Sequence, residues 1–440
     1  MKQILLFFLA VILVFLVACD QSDPPAPAQS AQAPPVPDPS SSAVLQSSIS
    51  AAAKPTVTSV PLPSPTEEQT FAPTVEAQAA PTMEQAPIPT AEAEADWPMF
   101  RLNQQHTGAI DAAFIEQPVL KWQFNTGGIV ESSPAVVDDT LYVGTFNNAL
   151  FVIDAETGEE IWRFPVGGLL RASPTIVENT IFFGADDNYF YAVDRLKGAE
   201  IWRFPLGGGG EQSSAAVVDG VVYFGAFDRN VYALDAESGT EIWRFTTGAG
   251  VFSSPLVSDT LLFIGSNDGN LYALDAQTGQ KQWQFTTGRG VFSSPALDED
   301  LLVVGSDDGN VYSIDPASGS ERWRFTAGGR VFSSPAIADG TVYVGSGDNF
   351  LYALDGPTGQ LLWRTSLGGG ILSSPALANG QVIVGSSNGR LYALQQTDGS
   401  IIWDFLVGER IPVWTSPAIV NDAIYFGAHD GNVYALQDVQ

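Results

Sequence analysis

From Asp96 onward, apolar and polar positions alternate with a period of two in short runs broken by Gly, Asp, Asn or Ser. No segment carries an apolar stripe at helical spacing, so the pattern predicts strands and tight turns throughout. The pattern also repeats. Trp122, Trp162, Trp202, Trp243, Trp283, Trp323, Trp363 and Trp403 stand forty or forty-one residues apart. Such a period marks a solenoid or a propeller. One copy reads as four strands: Ser253–Ser258, Leu261–Ser266, Asn270–Asp275 and Gln280–Phe285. Four short antiparallel strands per copy make one propeller blade.

The turns agree with the strands. Asp219-Gly220, Asp339-Gly340 and Asn379-Gly380 suit two-residue primed hairpins. Asp268, Asp308 and Asp430 precede Gly-Asn and suit longer turns closed by a left-handed glycine. In Ile242-Trp243-Arg244-Phe245, alternation puts Trp243 and Phe245 on one face and Arg244 on the other. A lone blade would leave those rings in water, whereas stacked blades cover one another's. All eight tryptophans are therefore expected to be buried between blades. The chain supplies eight first, second and third strands, the last first strand beginning near Thr415. The eighth copy has no fourth strand of its own, and a spare one, Val119–Phe124, precedes the first copy. The expectation is an all-β, eight-bladed propeller in which this N-terminal strand completes the last blade and removes an exposed edge.

Ala233-x-Asp235-x-x-Ser238-Gly239-x-x-x-Trp243 resembles the tryptophan-docking motif of the pyrroloquinoline-quinone (PQQ) repeat family. Ala273, Asp275, Thr278, Gly279 and Trp283 match it fully, as do Ala353, Asp355, Thr358, Gly359 and Trp363. Other copies drift: Val152 and Ser313 replace the alanine, Lys197 and Asp398 the threonine, Gln395 the aspartate. The opening Asp96–Arg101 and His106-Thr107-Gly108 resemble the family's lead-in. The motif has a structural task, with the indole packed between blades and the aspartate bonding nearby backbone.

Composition divides the chain further. Residues 20–95 are rich in Pro, Ala, Ser, Thr, Gln and Glu and nearly free of aromatics. That composition predicts a disordered linker, biased by proline to extended forms. Before it, Lys2 and the apolar run Ile4–Val17 read as an export signal. Leu16-Val17-Ala18-Cys19 resembles the lipobox of bacterial lipoproteins, which implies cleavage before Cys19 and lipidation of its thiol. The organisation expected is a signal peptide over 1–18, a lipidated linker over 19–95 and the propeller over 96–440. The placement that follows is extracytoplasmic and lipid-anchored. Asp20 directly follows the cysteine, which in enterobacterial sorting favours the cytoplasmic over the outer membrane. The net charge of −30 excludes a nucleic-acid partner, since a phosphate backbone needs a basic footprint.

The resemblance brings in calcium-dependent quinoprotein dehydrogenases, which carry large insertions, a vicinal cysteine pair and a catalytic aspartate. This propeller has no cysteine and only short copies, so PQQ and calcium are not expected and no catalytic residue is assigned. Neither histidine, His106 or His429, has a nucleophile or metal-type neighbour in sequence. Aligning the copies instead exposes one variable position before the first strand: Glu131, Arg171, Gln212, Phe252, Phe292, Phe332, Leu372 and Trp414. These eight are expected to ring one mouth of the central channel, either wedging between blades or binding a loop or extended peptide with Glu131 and Arg171 setting its register. The expected function is a monomeric, non-enzymatic scaffold for a protein or peptide partner in the cell envelope. Two alternatives stand beside it. One is a barrel-assembly factor like the outer-membrane lipoprotein of this architecture. The other is a PQQ-dependent dehydrogenase or ligand-sensing receptor.

Overall fold

The computed structural model describes residues 96–110, 115–208 and 213–439. The expectations for the leader, Cys19, Asp20, the linker over 19–95 and Gln212 lie outside them. Each copy is one antiparallel four-stranded sheet, and eight such sheets make the propeller. The first strands of successive blades stand side by side, the eighth against the first, so the ring is closed. Among the described residues there is no helix.

Blade four shows why each copy folds this way. Its strands are Leu256–Ser258, Leu261–Gly265, Asn270–Asp275 and Lys281–Thr286. The first is shorter than expected from the sequence, because the polar groups of Ser253 and Ser254 bond outside the ladder. The last starts one residue later than expected, because the Gln280 carbonyl closes the preceding turn by accepting from the Asp275 amide at 2.8 Å. Correspondingly, the last blade's first strand is Ala418–Val420 and does not begin at Thr415. The hairpin turns at 219–220, 339–340 and 379–380 have positive φ at both residues, as a primed turn demands. Asp268 caps its own turn: Oδ1 accepts from the Asn270 amide at 3.0 Å and Oδ2 from the Tyr272 hydroxyl at 2.7 Å.

The docking motif joins blades. The indole N–H of Trp243 donates to the Ala276 carbonyl of the next blade at 2.9 Å, and its ring lies 5.8 Å from that of Tyr223. Gly279 sits beneath that indole at φ +68°, where a Cβ would come within 2.6 Å of the ring. Asp275 Oδ1 shapes the turn by accepting from the Thr278 amide and hydroxyl at 2.8 and 2.7 Å. Arg244 faces solvent over the Glu241 carboxylate while Trp243 is buried.

The same joint recurs around the ring. Trp202 donates to the Ala236 carbonyl at 3.0 Å, Trp283 to Pro316 O at 3.0 Å, Trp323 to Gly356 O at 2.6 Å and Trp363 to Gln396 O at 2.8 Å. Trp162 packs on Gly198 of blade two and on the apolar cluster shared by blades one and two. Burial is less complete than the sequence leads one to expect. Trp122, Trp243, Trp323 and Trp403 are buried, whereas Trp162, Trp202, Trp283 and Trp363 are only half-buried. All eight indoles share one position, on the outermost strand, where the next blade covers the face and solvent reaches the edge, so even the buried ones keep 8% exposure. The strand Pro118–Asn125 pairs antiparallel with Asn432–Asp438 and completes blade eight, as expected. Trp403 of blade seven finds its acceptor in the carbonyl of Ile115, at 2.9 Å.

Two features of the axis go beyond the sequence pattern. The backbone N–H of the second small residue before each first strand donates to the hydroxyl of its counterpart one blade on. The chain of bonds runs Ser133, Ser173, Ser214, Ser254, Ser294, Ser334, Ser374, Ser416 and back to Ser133, at 2.9–3.2 Å. The hydroxyl one position earlier accepts from a second-strand glycine of its own blade, as Ser253 does from Gly265 at 3.0 Å. Blade two carries Ala172 there and lacks that bond.

The second feature is the lead-in. The Trp97 amide donates to Val136 O in blade one, and the Ile176 amide of blade two to Pro98 O. The amides of Leu297, Ile337 and Leu377 in blades five to seven donate to Gln105 O, Thr107 O and Gly108 O. Ala109–Ile110 then adds as a parallel strand to blade seven. Arg101, 1% exposed, donates to the carbonyls of Pro335 and Pro375 from its guanidinium. Gly108 lies so close that a Cβ would meet that guanidinium at 2.6 Å. His106 Nδ1 faces the Pro295 carbonyl at 3.0 Å and must carry the proton, since a carbonyl only accepts. The lead-in is thus stitched to the first strands of several blades and plugs one end of the axis.

Candidate functional site

The plug makes the channel blind. A cavity of about 160 Å³ opens at the opposite end, with the serine ring as its wall and Phe100 of the plug among its lining. The seven described mouth residues all line it: Glu131, Arg171, Phe252, Phe292, Phe332, Leu372 and Trp414. They stand together around this one opening. Each of the seven is half-buried, since each follows the outer strand of one blade and turns inward ahead of the serine pair.

The ring has two different arcs. On one side Phe252, Phe292 and Phe332 pack edge to face or tilted, with centroids 5.2 Å apart at each step. They wedge against one another and narrow the opening. On the other side Arg171 bridges Glu131 at 2.9 Å and Asp186 at 3.3 Å, and its guanidinium lies 4.4 Å over the Phe146 ring. Trp414 closes the circle, edge-on to His429 at 4.3 Å and donating to Ser387 Oγ at 3.0 Å.

Those partners expose a second ring that sequence reasoning missed. Phe146, Asp186, Phe227, Asn267, Asp307, Gly347, Ser387 and His429 occupy one aligned position, two residues past the second-strand glycine. Asp186, Phe227, Ser387 and His429 each touch a mouth residue of the first ring. The signal was available, because this position varies among copies as freely as the first. His429 has no chemical neighbour in sequence, yet the fold brings its Nε2 within 3.4 Å of Glu131. No cluster of three or more His, Cys, Asp or Glu side chains among the described residues is disposed to hold a metal ion.

Burial governs titration here. Desolvation, aided by the charge of Arg171, pushes His429 down to about 4, and desolvation pushes His106 down to about 4. Desolvation raises the Glu131 carboxyl, although Arg171 pulls it back. Between the ordinary histidine value and pH 4 the unfolded chain takes up protons that the folded imidazoles refuse. Stability contributed by these two groups is therefore complete above about pH 6.5 and falls as the pH drops towards 4. Glu131 works with the opposite sign, because its folded form binds its proton more tightly. Thermal midpoints measured from pH 7.5 to 4.5 are expected to fall, and His429→Gln should flatten the slope. An unchanged slope would place the acid sensitivity elsewhere.

Solved structures with the same architecture include BamB from Moraxella catarrhalis, 20% identical, covering 73% of this chain and 97% of that one, with a TM-score of 0.63. The computationally designed Ika8 protein matches at 20% identity over 71% of this chain and 97% of its own, also with a TM-score of 0.63. Quinohemoprotein alcohol dehydrogenase from Comamonas testosteroni matches at 16% identity, TM-score 0.68, over 78% of this chain and 80% of its own. At these identities the likeness is one of fold. No curated protein matches the chain. A family model described as outer membrane protein assembly factor BamB matches residues 119–204, 189–326, 286–356 and 307–438, which together take in every blade, and the chain belongs to that PQQ-type repeat family.

Proposed function

We propose that the protein is a non-catalytic scaffold of the cell envelope, held to a membrane through a lipidated Cys19, that docks a segment of another protein across the two-ring mouth. The observation that carries this reading is the split of the mouth into an aromatic arc and a charged arc above a blind floor. A projecting loop could lay apolar side chains on Phe252, Phe292 and Phe332 while polar groups meet the Glu131–Arg171–Asp186 bridge. A cavity of about 160 Å³ admits one side chain, so an extended peptide would lie over the opening without threading it. The family description adds support for a partner in outer-membrane protein assembly. The runner-up is a quinone enzyme, as in the dehydrogenase neighbours of the fold. PQQ bears three carboxylates, whereas Arg171, the one basic side chain among the described residues lining this cavity, is already held by Glu131 and Asp186. Ligand sites for molecules of drug-like size run from about 300 to 1,000 Å³. The mouth does not fit that group.

The test is capture of partners by the full lipidated chain in its native membrane, with Phe292→Ser and Trp414→Ser as variants. Both positions are half-buried at an opening, so the fold should survive, which circular dichroism and the melting profile will report. Crosslinks seen with the parent are expected to fall at least tenfold in the double variant. Unchanged crosslinking in a folded double variant would remove the mouth from the function.

A further inference from the structure

Six blades place an aromatic residue in the second strand opposite the docking-motif position of the third, as in Tyr223 against Ala233 and Tyr343 against Ala353. Blade five departs on both sides of this pair. Val303 stands opposite Ser313, so a ring is missing where a hydroxyl has been added. Ser313 is fully buried and its Oγ has no hydrogen-bond partner. A buried hydroxyl left without a partner costs about 1–3 kcal/mol, so its presence in place of alanine asks for a reason.

Ser313 lines a pocket of about 780 Å³ between blades five and six, beside the plug and away from the mouth. Leu301, Ile337, Ala338 and Pro357 give it apolar walls. Its rim is acidic: Asp298, Glu299 and Asp300 come from the first hairpin of blade five, and Asp339 from that of blade six. The single basic side chain of the lining, Arg322, is engaged by Asp300 at 3.0 Å and Asp315 at 2.8 Å. Among the described residues no Lys or Arg forms an ion pair with Asp298, Glu299 or Asp339. These carboxylates do not gather into a metal-holding cluster. A spread of negative charge around an apolar pocket with one unpartnered hydroxyl in its lining suits an elongated organic cation better than a metal ion.

We infer that this inter-blade pocket binds a primary alkylammonium group, its methylene stem against Leu301 and Ile337 and its charged head between the rim carboxylates and Ser313 Oγ. The volume lies in the range of small-ligand sites. The chemistry is shared by a free polyamine and by a lysine side chain of a partner protein. This site is separate from the mouth, so the outcome here leaves the scaffold reading untouched.

Two probes separate the sources: spermidine, and Nα-acetyl-lysine amide as the side-chain mimic, each titrated calorimetrically into the full chain at about 0.15 M salt. Ser313→Ala restores the alanine carried at that position by blades two, three, four, six, seven and eight, and should fold normally. It is expected to weaken binding about tenfold, the effect of losing one hydrogen bond to a charged donor. Asp298→Asn with Asp339→Asn should weaken it comparably. The control is Asp219→Asn with Asp259→Asn, from the corresponding hairpins of blades three and four, which should change nothing. Binding of spermidine alone would assign a free polyamine, and binding of the lysine mimic a partner's side chain. If neither probe binds at millimolar concentration, or if the control pair weakens binding as much as the pocket variants, the pocket is only part of a diffusely acidic surface and the inference fails.

Discussion

Trp122→Ala is expected to lower the stability of the propeller by about 3–5 kcal/mol, the range for truncating a large aromatic in a core. The indole is 8% exposed, donates to Ala155 O at 2.9 Å, and lies 5.9 Å from the Tyr425 ring. It differs from the other docking tryptophans in its covalent setting. The strand that carries it reaches blade eight from the far end of the propeller sequence, pairing Pro118–Asn125 with Asn432–Asp438. Weakening it therefore loosens ring closure as well as one blade interface. Equilibrium urea unfolding is the measurement, with Trp323→Ala, equally buried in blade five, as the mid-ring comparison. The closing-strand variant should unfold at lower denaturant and expose a sheet edge, so it should also self-associate with rising concentration. Midpoints within error of each other, with no self-association, would mean that closure by this strand contributes nothing special.

The second large effect is expected at Arg101. Its guanidinium serves the carbonyls of Pro335 and Pro375, with longer contacts of 3.4 and 3.5 Å to those of His106 and Thr107. Burial lowers it to about 9, so it remains charged at neutral pH. Arg101→Ala strands acceptors at the end of the axis at a cost of about 1–3 kcal/mol for each one left unpaired. The plug segment should then be cut by proteinase K at low enzyme ratios while the blades stay intact. Arg101→Lys should rescue little, because a compact ammonium cannot span two carbonyls as a planar fork does. A plug in Arg101→Ala as resistant as in the parent would show that the backbone bonds to the first strands suffice.

Much of this molecule is legible from local chemistry. Asp219-Gly220 can only make its turn with both residues at positive φ, and Gly279 is glycine because an indole lies against it. The eight-fold count follows from the spare strand before the first copy, because an unpaired sheet edge has to be covered. The first mouth ring is legible for a related reason. In a repeat, structure accounts for what recurs, so positions that do not recur stand out. What escapes the sequence is everything that depends on residues from different copies meeting. The acceptor of each docking indole is such a case, since it lies in the next blade: Ala276 O for Trp243 and Gly356 O for Trp323. The second serine of each pair looks like a small strand residue, yet these amides and hydroxyls form a closed circuit around the axis that exists only once eight blades surround it. His429 looks idle until blade eight lies next to blade one and sets it beside Glu131.

The amino-acid order by itself determined the blade, its repetition, its docking tryptophans and the strand that seals the ring, because these rest on periods of two and forty and on turn geometry. Tertiary structure alone decided that the lead-in plugs the axis, that a second ring backs the first mouth ring with its aromatic and charged arcs, and that a pocket lies between blades five and six. Those features are made of contacts between residues tens to hundreds of positions apart, and sequence spacing carries no distance across a closed circle.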